Sequence, residues 1–107
     1  MKIHTQAIHF SADKKLVSFT EKKLDKLNLF FDKIIAADVI LKLENSGQIK
    51  DKIVEIKLKI PGTILFVKES SKTFEESVDN AISSLKKQLV KYKLRRDQTG
   101  KMTSTEE

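Results

Sequence analysis

Alternation of apolar and polar positions divides the 107-residue chain into six elements. From Lys2 to His9, Ile3, Thr5 and Ala7 alternate weakly with polar neighbours, which predicts a first strand ending near Phe10. Helical spacing then takes over, with Ser11 as the expected N-cap. Leu16, Phe19, Thr20, Leu24, Leu27, Phe30 and Phe31 share one face, so a helix is predicted from Ala12 to about Phe31. Asp32 to Asp38 reads as a connection. Val39, Leu41 and Leu43 alternate with Ile40, Lys42 and Glu44, giving a second strand that ends at the turn signal Asn45-Ser46-Gly47. Val54, Ile56, Leu58 and Ile60 alternate with Ile53, Glu55, Lys57 and Lys59, the pattern of a half-buried strand. Pro61-Gly62 marks a tight turn, and Thr63 to Glu69 a fourth strand with Ile64 and Phe66 on one side and Leu65 and Val67 on the other. Thr73-Phe74-Glu75-Glu76 fits a capping box. It opens a second helix whose stripe is Phe74, Val78, Ala81, Ile82, Leu85, Leu89 and Tyr92 and whose expected end is near Arg96.

The order β-α-β-β-β-α implies an α+β fold with a four-stranded mixed sheet. Short connections make the last three strands an antiparallel meander, and the first helix acts as a crossover between parallel strands one and two. Each helix then follows a strand of the same direction. Packed on one face of the sheet, the two helices should run parallel, with their C-terminal ends at one end of the molecule.

Composition narrows the class. Apolar residues at 39% permit one core, and charged residues at 34% make the surface dense in charge. The length suits one domain, expected over residues 1–96. The absence of Cys removes disulfides and thiolate metal sites. No apolar stretch approaches the roughly 20 residues of a membrane helix, and Met1-Lys2-Ile3-His4-Thr5 does not begin a signal peptide. A soluble cytoplasmic domain is the expectation. Residues 1–96 carry 20 Lys and Arg against 12 Asp and Glu, a net +8 within an overall +6. Residues 97–107 form an acidic, polar segment without periodicity, read as a disordered tail.

The bases are not scattered. On the first helix Lys15, Lys22 and Lys26 fall along one flank of the apolar stripe, Lys23 lies between that flank and the core, and Glu21 and Asp25 collect on the opposite flank. On the second, Lys86, Lys87, Lys91 and Lys93 lie away from the core, and no acid occurs from Ala81 to Arg96. A solvated face, with bases opposing the helix dipole, accounts for part of this. It does not account for like charges at i,i+4: Lys22 with Lys26, Lys87 with Lys91, Lys91 with Arg95. Opposite-charge pairs there stabilise a helix by about 0.2–0.5 kcal/mol, and like pairs cost as much. Such rows suit a polyanion lying across them. A membrane surface is disfavoured, because both apolar stripes are needed for the core. Tyr92 lies on the apolar stripe and Phe30 and Phe31 flank the core, so aromatic residues are not expected to interleave with the basic ones. Backbone and shape contacts with RNA are therefore expected, rather than stacking on single-stranded bases.

Catalytic chemistry is not indicated. His4 and His9 are the only histidines and fall on opposite faces of a strand, which makes them poor metal partners. Gly47, Gly62 and Gly100 are isolated, so no phosphate-cradling loop is formed, and no nucleophile motif occurs. No enzyme activity, cofactor, metal or small-molecule substrate is expected.

Residues 1–96 resemble the short ribosome hibernation promoting factor and ribosome-associated inhibitor family, also called the sigma-54 modulation protein family. The resemblance rests on the element order, on Lys23-Leu24-Asp25-Lys26-Leu27 followed by Phe30-Phe31-Asp32, and on the second-helix run from Val78 to Lys93. It implies a stress or stationary-phase factor that binds the small ribosomal subunit in the channel for mRNA and tRNA and inhibits translation. By position it implies ribosomal RNA contacts at Lys23, Lys26, Lys87, Lys91, Lys93 and Arg95, with Gln88 as a polar neighbour; Lys22 and Lys86 add bases on the same surfaces. Ser84 stands where the family often has Lys. Long members add a C-terminal domain that pairs two ribosomes, which a chain ending at Glu107 is expected to lack, and off the ribosome a monomer is expected. Two other readings fit the basic helices: a generic double-stranded-RNA-binding module, whose α-β-β-β-α layout is similar, and a protein-interaction domain that meets an acidic partner.

Overall fold

The computed structural model describes the backbone of residues 1–46 and 49–101, and side-chain surroundings for residues 1–44 and 51–93. Its elements are β1 (Lys2–Ile8), α1 (Lys14–Phe30), β2 (Ala36–Ser46), β3 (Ile49–Ile60), β4 (Thr63–Ser71) and α2 (Phe74–Lys101). The sheet order is β1-β2-β3-β4, with β1 parallel to β2 and the other pairs antiparallel. The mixed sheet and the order β-α-β-β-β-α are those read from the sequence.

Several boundaries differ, each for a local reason. The N-cap of α1 is Asp13, not Ser11: its carboxylate accepts the Leu16 N–H at 2.8 Å and places negative charge at the helix N-terminus. β1 stops at Ile8 because His9 takes a φ of 71°, a left-handed conformation that breaks the strand. β2 begins at Ala36, inside the expected connection. Ala36, Ala37 and Asp38 pair with Lys2, Ile3 and His4 on one side and with Lys59, Leu58 and Lys57 on the other, and this two-sided ladder outweighs weak propensity. The β2–β3 ladder runs out to Ser46 and Ile49, so Asn45 and Ser46 belong to the strand, and Gly47 lies outside the described residues. α2 continues to Lys101 instead of ending near Arg96: Leu94 to Gln98 include no helix breaker, and the helix runs on through Thr99 and Gly100. Residues 97–101 thus extend the helix rather than starting a tail; residues 102–107 lie outside the described residues.

Alternation in the strands sends Ala37, Val39, Leu41, Val54, Ile56, Leu58, Ile60 and Val67 into one core with Leu16, Leu24, Leu27, Phe74, Val78, Ala81, Leu85 and Leu89 from the helices. Both helices therefore cover the same face of the sheet. Thr20, fully buried in the apolar stripe of α1, satisfies its hydroxyl by donating to the Leu16 carbonyl at 2.9 Å. The Thr73 cap is present, its Oγ1 accepting the Glu76 N–H at 3.1 Å. Ser77, also fully buried, donates to the Lys52 carbonyl at 2.6 Å and ties the first turn of α2 to β3. At the far end Gly62 (φ 89°) makes the β3–β4 turn, and Tyr92 Oη donates to the Pro61 carbonyl at 2.6 Å. The uncovered face of the sheet carries Asp38, Ile40, Lys42, Glu55, Lys57, Lys59, Ile64 and Phe66.

Candidate nucleic-acid interface

The relation of α1 to α2 decides whether the basic flanks meet. Lys23 Nζ reaches Asp79 Oδ1 at 3.0 Å. Seven residues further along α1, Phe30 lies beneath Lys86, which is seven residues beyond Asp79 on α2. Equal steps in the same direction show that the helices are parallel. Phe31 also meets Tyr92 edge-on, with centroids 6.2 Å apart, where α1 ends and α2 carries on.

This register distributes the expected contact residues unequally. Lys22 and Lys26 are exposed on the side of α1 opposite Leu24 and Thr20. Lys87 and Lys91 are exposed on the outward side of α2, opposite Leu85 and Leu89. Lys86 and Lys93 are exposed too, but on the side of α2 that faces α1. Their ammonium groups lie 5.0 and 5.1 Å from the centroid of the same ring, Phe30. The two clusters are thus joined across the helix pair by Lys86 and Lys93. Lys23 is half-buried, lies 5.3 Å above the Phe19 ring, and its charge is paired with Asp79; that is the one ion pair among the described residues. Gln88 turns the other way, to the sheet edge, where its Nε2 donates to the Phe66 carbonyl at 3.2 Å. The side chain of Arg95 lies outside the described residues.

The same register overturns the expected separation of aromatic and basic residues. The two kinds of side chain do interleave, at Phe30 between Lys86 and Lys93 and at Phe19 beside Lys23. The Phe19–Lys23 pair lies within α1 at i,i+4 and could be read from that helix alone, but no helix projected alone could show the Phe30 cluster, whose ring and cations come from different helices.

Beside Phe30, an open cavity of about 400 Å³ is lined by Leu29, Phe30, Asp32, Lys33 and Lys93, among others. Leu29 is 86% exposed. Among the described residues there is no cluster of three or more His, Cys, Asp or Glu able to hold a metal, and no helix long and apolar enough to cross a membrane.

A four-stranded mixed sheet backed by two parallel helices, with lysines gathered on the outer helix surface, defines a small α+β module with one strongly basic side. Residues 3–97 match the model of the sigma 54 modulation protein / S30EA ribosomal protein family, and the chain belongs to that family. Its fold is also that of a ribosomal subunit interface protein from Coxiella burnetii, at a TM-score of 0.78 and 28% identity over 88% of this chain and 99% of that one. The Protein Y N-terminal domain from Thermus thermophilus superposes with a TM-score of 0.74 at 24% identity, over 86% of this chain and 99% of that one, a likeness of fold. A search among curated proteins found no match.

Proposed function

We propose that this protein is a ribosome hibernation factor: it binds ribosomal RNA of the small subunit in the mRNA and tRNA channel and inhibits translation in stress or stationary phase. The observation that carries the reading is the outer surface of the parallel helices. Lys22, Lys26, Lys86, Lys87, Lys91 and Lys93 are all exposed there, and no carboxylate pairs with any of them among the described residues. Family membership supplies the ribosome as the polyanion, and the structural neighbour from Coxiella burnetii is itself a ribosomal subunit interface protein. Lys23 and Arg95 remain candidate contacts beside this set, and Gln88 serves chiefly to fasten α2 to β4. Binding requires no catalysis and no cofactor.

Sedimentation of cell extract through a sucrose gradient tests the reading. The protein should travel with small subunits and whole ribosomes, and should shift to the top of the gradient as salt rises. Migration with free RNA but not with ribosomal particles would favour a generic double-stranded-RNA-binding module. Migration with an acidic protein would favour an interaction domain.

A further inference from the structure

Lys86 and Lys93 share a face of α2 because they are seven residues apart, two turns of helix. Phe30, from α1, lies between them in the helix register. Each ammonium is close to 5 Å from the one ring centroid, so the two are held within about 10 Å of each other. Both lysines are exposed and neither meets a carboxylate among the described residues. A ring that served only the core, or only shielded the end of α1, would need no second cation. The site also lies where α1 ends, beside the open cavity lined by Leu29 and Lys33 among others. Asp32 is the one acid on that cavity's lining.

We infer that Phe30, Lys86 and Lys93 form a two-pronged phosphate clamp, in which the ring positions both ammonium groups for neighbouring phosphates of one RNA strand. The inference rests on the reading of the helix surface as an RNA-binding face. Phe30 acts as a positioning residue. A lysine side chain in water samples many rotamers, and ordering it on contact with phosphate weakens binding. Attraction to the ring face restricts both lysines before the RNA arrives and leaves the ammonium hydrogens facing away from the ring available to phosphate oxygens. Leucine at this position would keep apolar bulk against the core but lacks the quadrupole that attracts cations. Tyrosine would keep both.

The test uses the whole chain and purified ribosomes. Wild type, Phe30→Leu, Phe30→Tyr, Lys86→Gln and the double variant Phe30→Leu/Lys86→Gln are pelleted with ribosomes from 50 to 200 mM salt, and each is melted thermally. Phe30→Leu should bind roughly tenfold more weakly at low salt and show a shallower salt dependence, by up to one or two phosphate equivalents. Phe30→Tyr should match wild type. Lys86→Gln should cost less in the Phe30→Leu background than alone, because the prong is already loosened. Wild-type affinity and slope in Phe30→Leu, or fully additive effects in the double variant, would overturn the clamp. So would an equal loss in Phe30→Leu and Phe30→Tyr that follows their melting temperatures, since that pattern marks a packing role. If wild type itself binds ribosomes without salt dependence, the RNA-binding reading fails, and that outcome is distinct from failure of the clamp alone.

Discussion

At the scale of single residues, the site holds lysines of three kinds. Lys87 and Lys91 extend into solvent, Lys86 and Lys93 are gathered by Phe30, and Lys23 is neutralised by Asp79. The last pair is partly exposed, so it contributes no more than about 1 kcal/mol to stability. Its larger effect is on charge, since Asp79 removes one cation from the set proposed to meet RNA. Asp79→Asn should therefore bind ribosomes a few-fold more tightly at low salt, with a steeper salt dependence and little change in melting temperature. A titration of both proteins at two ionic strengths reads this directly, and weaker binding by the variant would show that Lys23 needs its partner to be oriented. Tyr92 offers a contrast on the stability side. Its hydroxyl donates to the Pro61 carbonyl at 2.6 Å, so Tyr92→Phe should lose about 0.5–1.5 kcal/mol in a denaturant melt. Ribosome affinity, measured where both proteins are fully folded, should be unchanged, because the hydroxyl points to the β3–β4 turn and not to the lysines.

Elements divide the work between two surfaces. The helices carry the cluster of Lys22, Lys26, Lys86, Lys87, Lys91 and Lys93, whereas Lys42, Lys57 and Lys59 project from the uncovered side of the sheet. Changing Lys87, Lys91 and Lys93 together to Gln should remove most ribosome binding while shifting stability by only about 0.5 kcal/mol per site, as surface substitutions do. The matching change of Lys42, Lys57 and Lys59 should leave most binding intact. Pelleting and melts on the two triple variants decide it, and equal losses would mean that diffuse charge, not a helix-borne site, holds the ribosome. The elements themselves are largely legible in the sequence. β3 is clear because Val54, Ile56, Leu58 and Ile60 are all buried, against partly or fully exposed Glu55, Lys57 and Lys59. β1 is faint because its inward residues Ile3, Thr5 and Ala7 are only half-buried at the sheet edge. The cap of α1 falls two residues later than expected because Ser11 and Asp13 both suit an N-cap, and only the backbone path selects Asp13. The Phe30 cluster and the Lys23–Asp79 pair are not legible at all, since both depend on the register between helices, which the periodicity of either helix alone does not contain.

For the whole molecule, the parallel helices matter because they bring the basic halves of both to one side of one end. α1 stops at Phe30 while α2 runs on to Lys101, so the shared surface begins on α1 and continues along α2 alone. Both helices pack on the same core as the sheet, which sets the spacing of the two halves of that surface. If about six phosphates are neutralised, affinity should fall by roughly a thousandfold between 50 and 200 mM salt. The proposed seat in the channel makes a further demand: a domain bound there cannot coexist with mRNA and tRNA. Added to a cell-free translation reaction, the protein should lower synthesis in proportion to its occupancy of ribosomes. Ribosomes preloaded with initiator tRNA should resist, and more so at higher salt, where the electrostatic hold on RNA is weakest. The triple variant of Lys87, Lys91 and Lys93 should inhibit poorly at the same concentration. Full synthesis at saturating wild-type protein, with the protein still bound to the ribosome in the gradient, would place the contact outside the channel while leaving the lysine surface as the binding face.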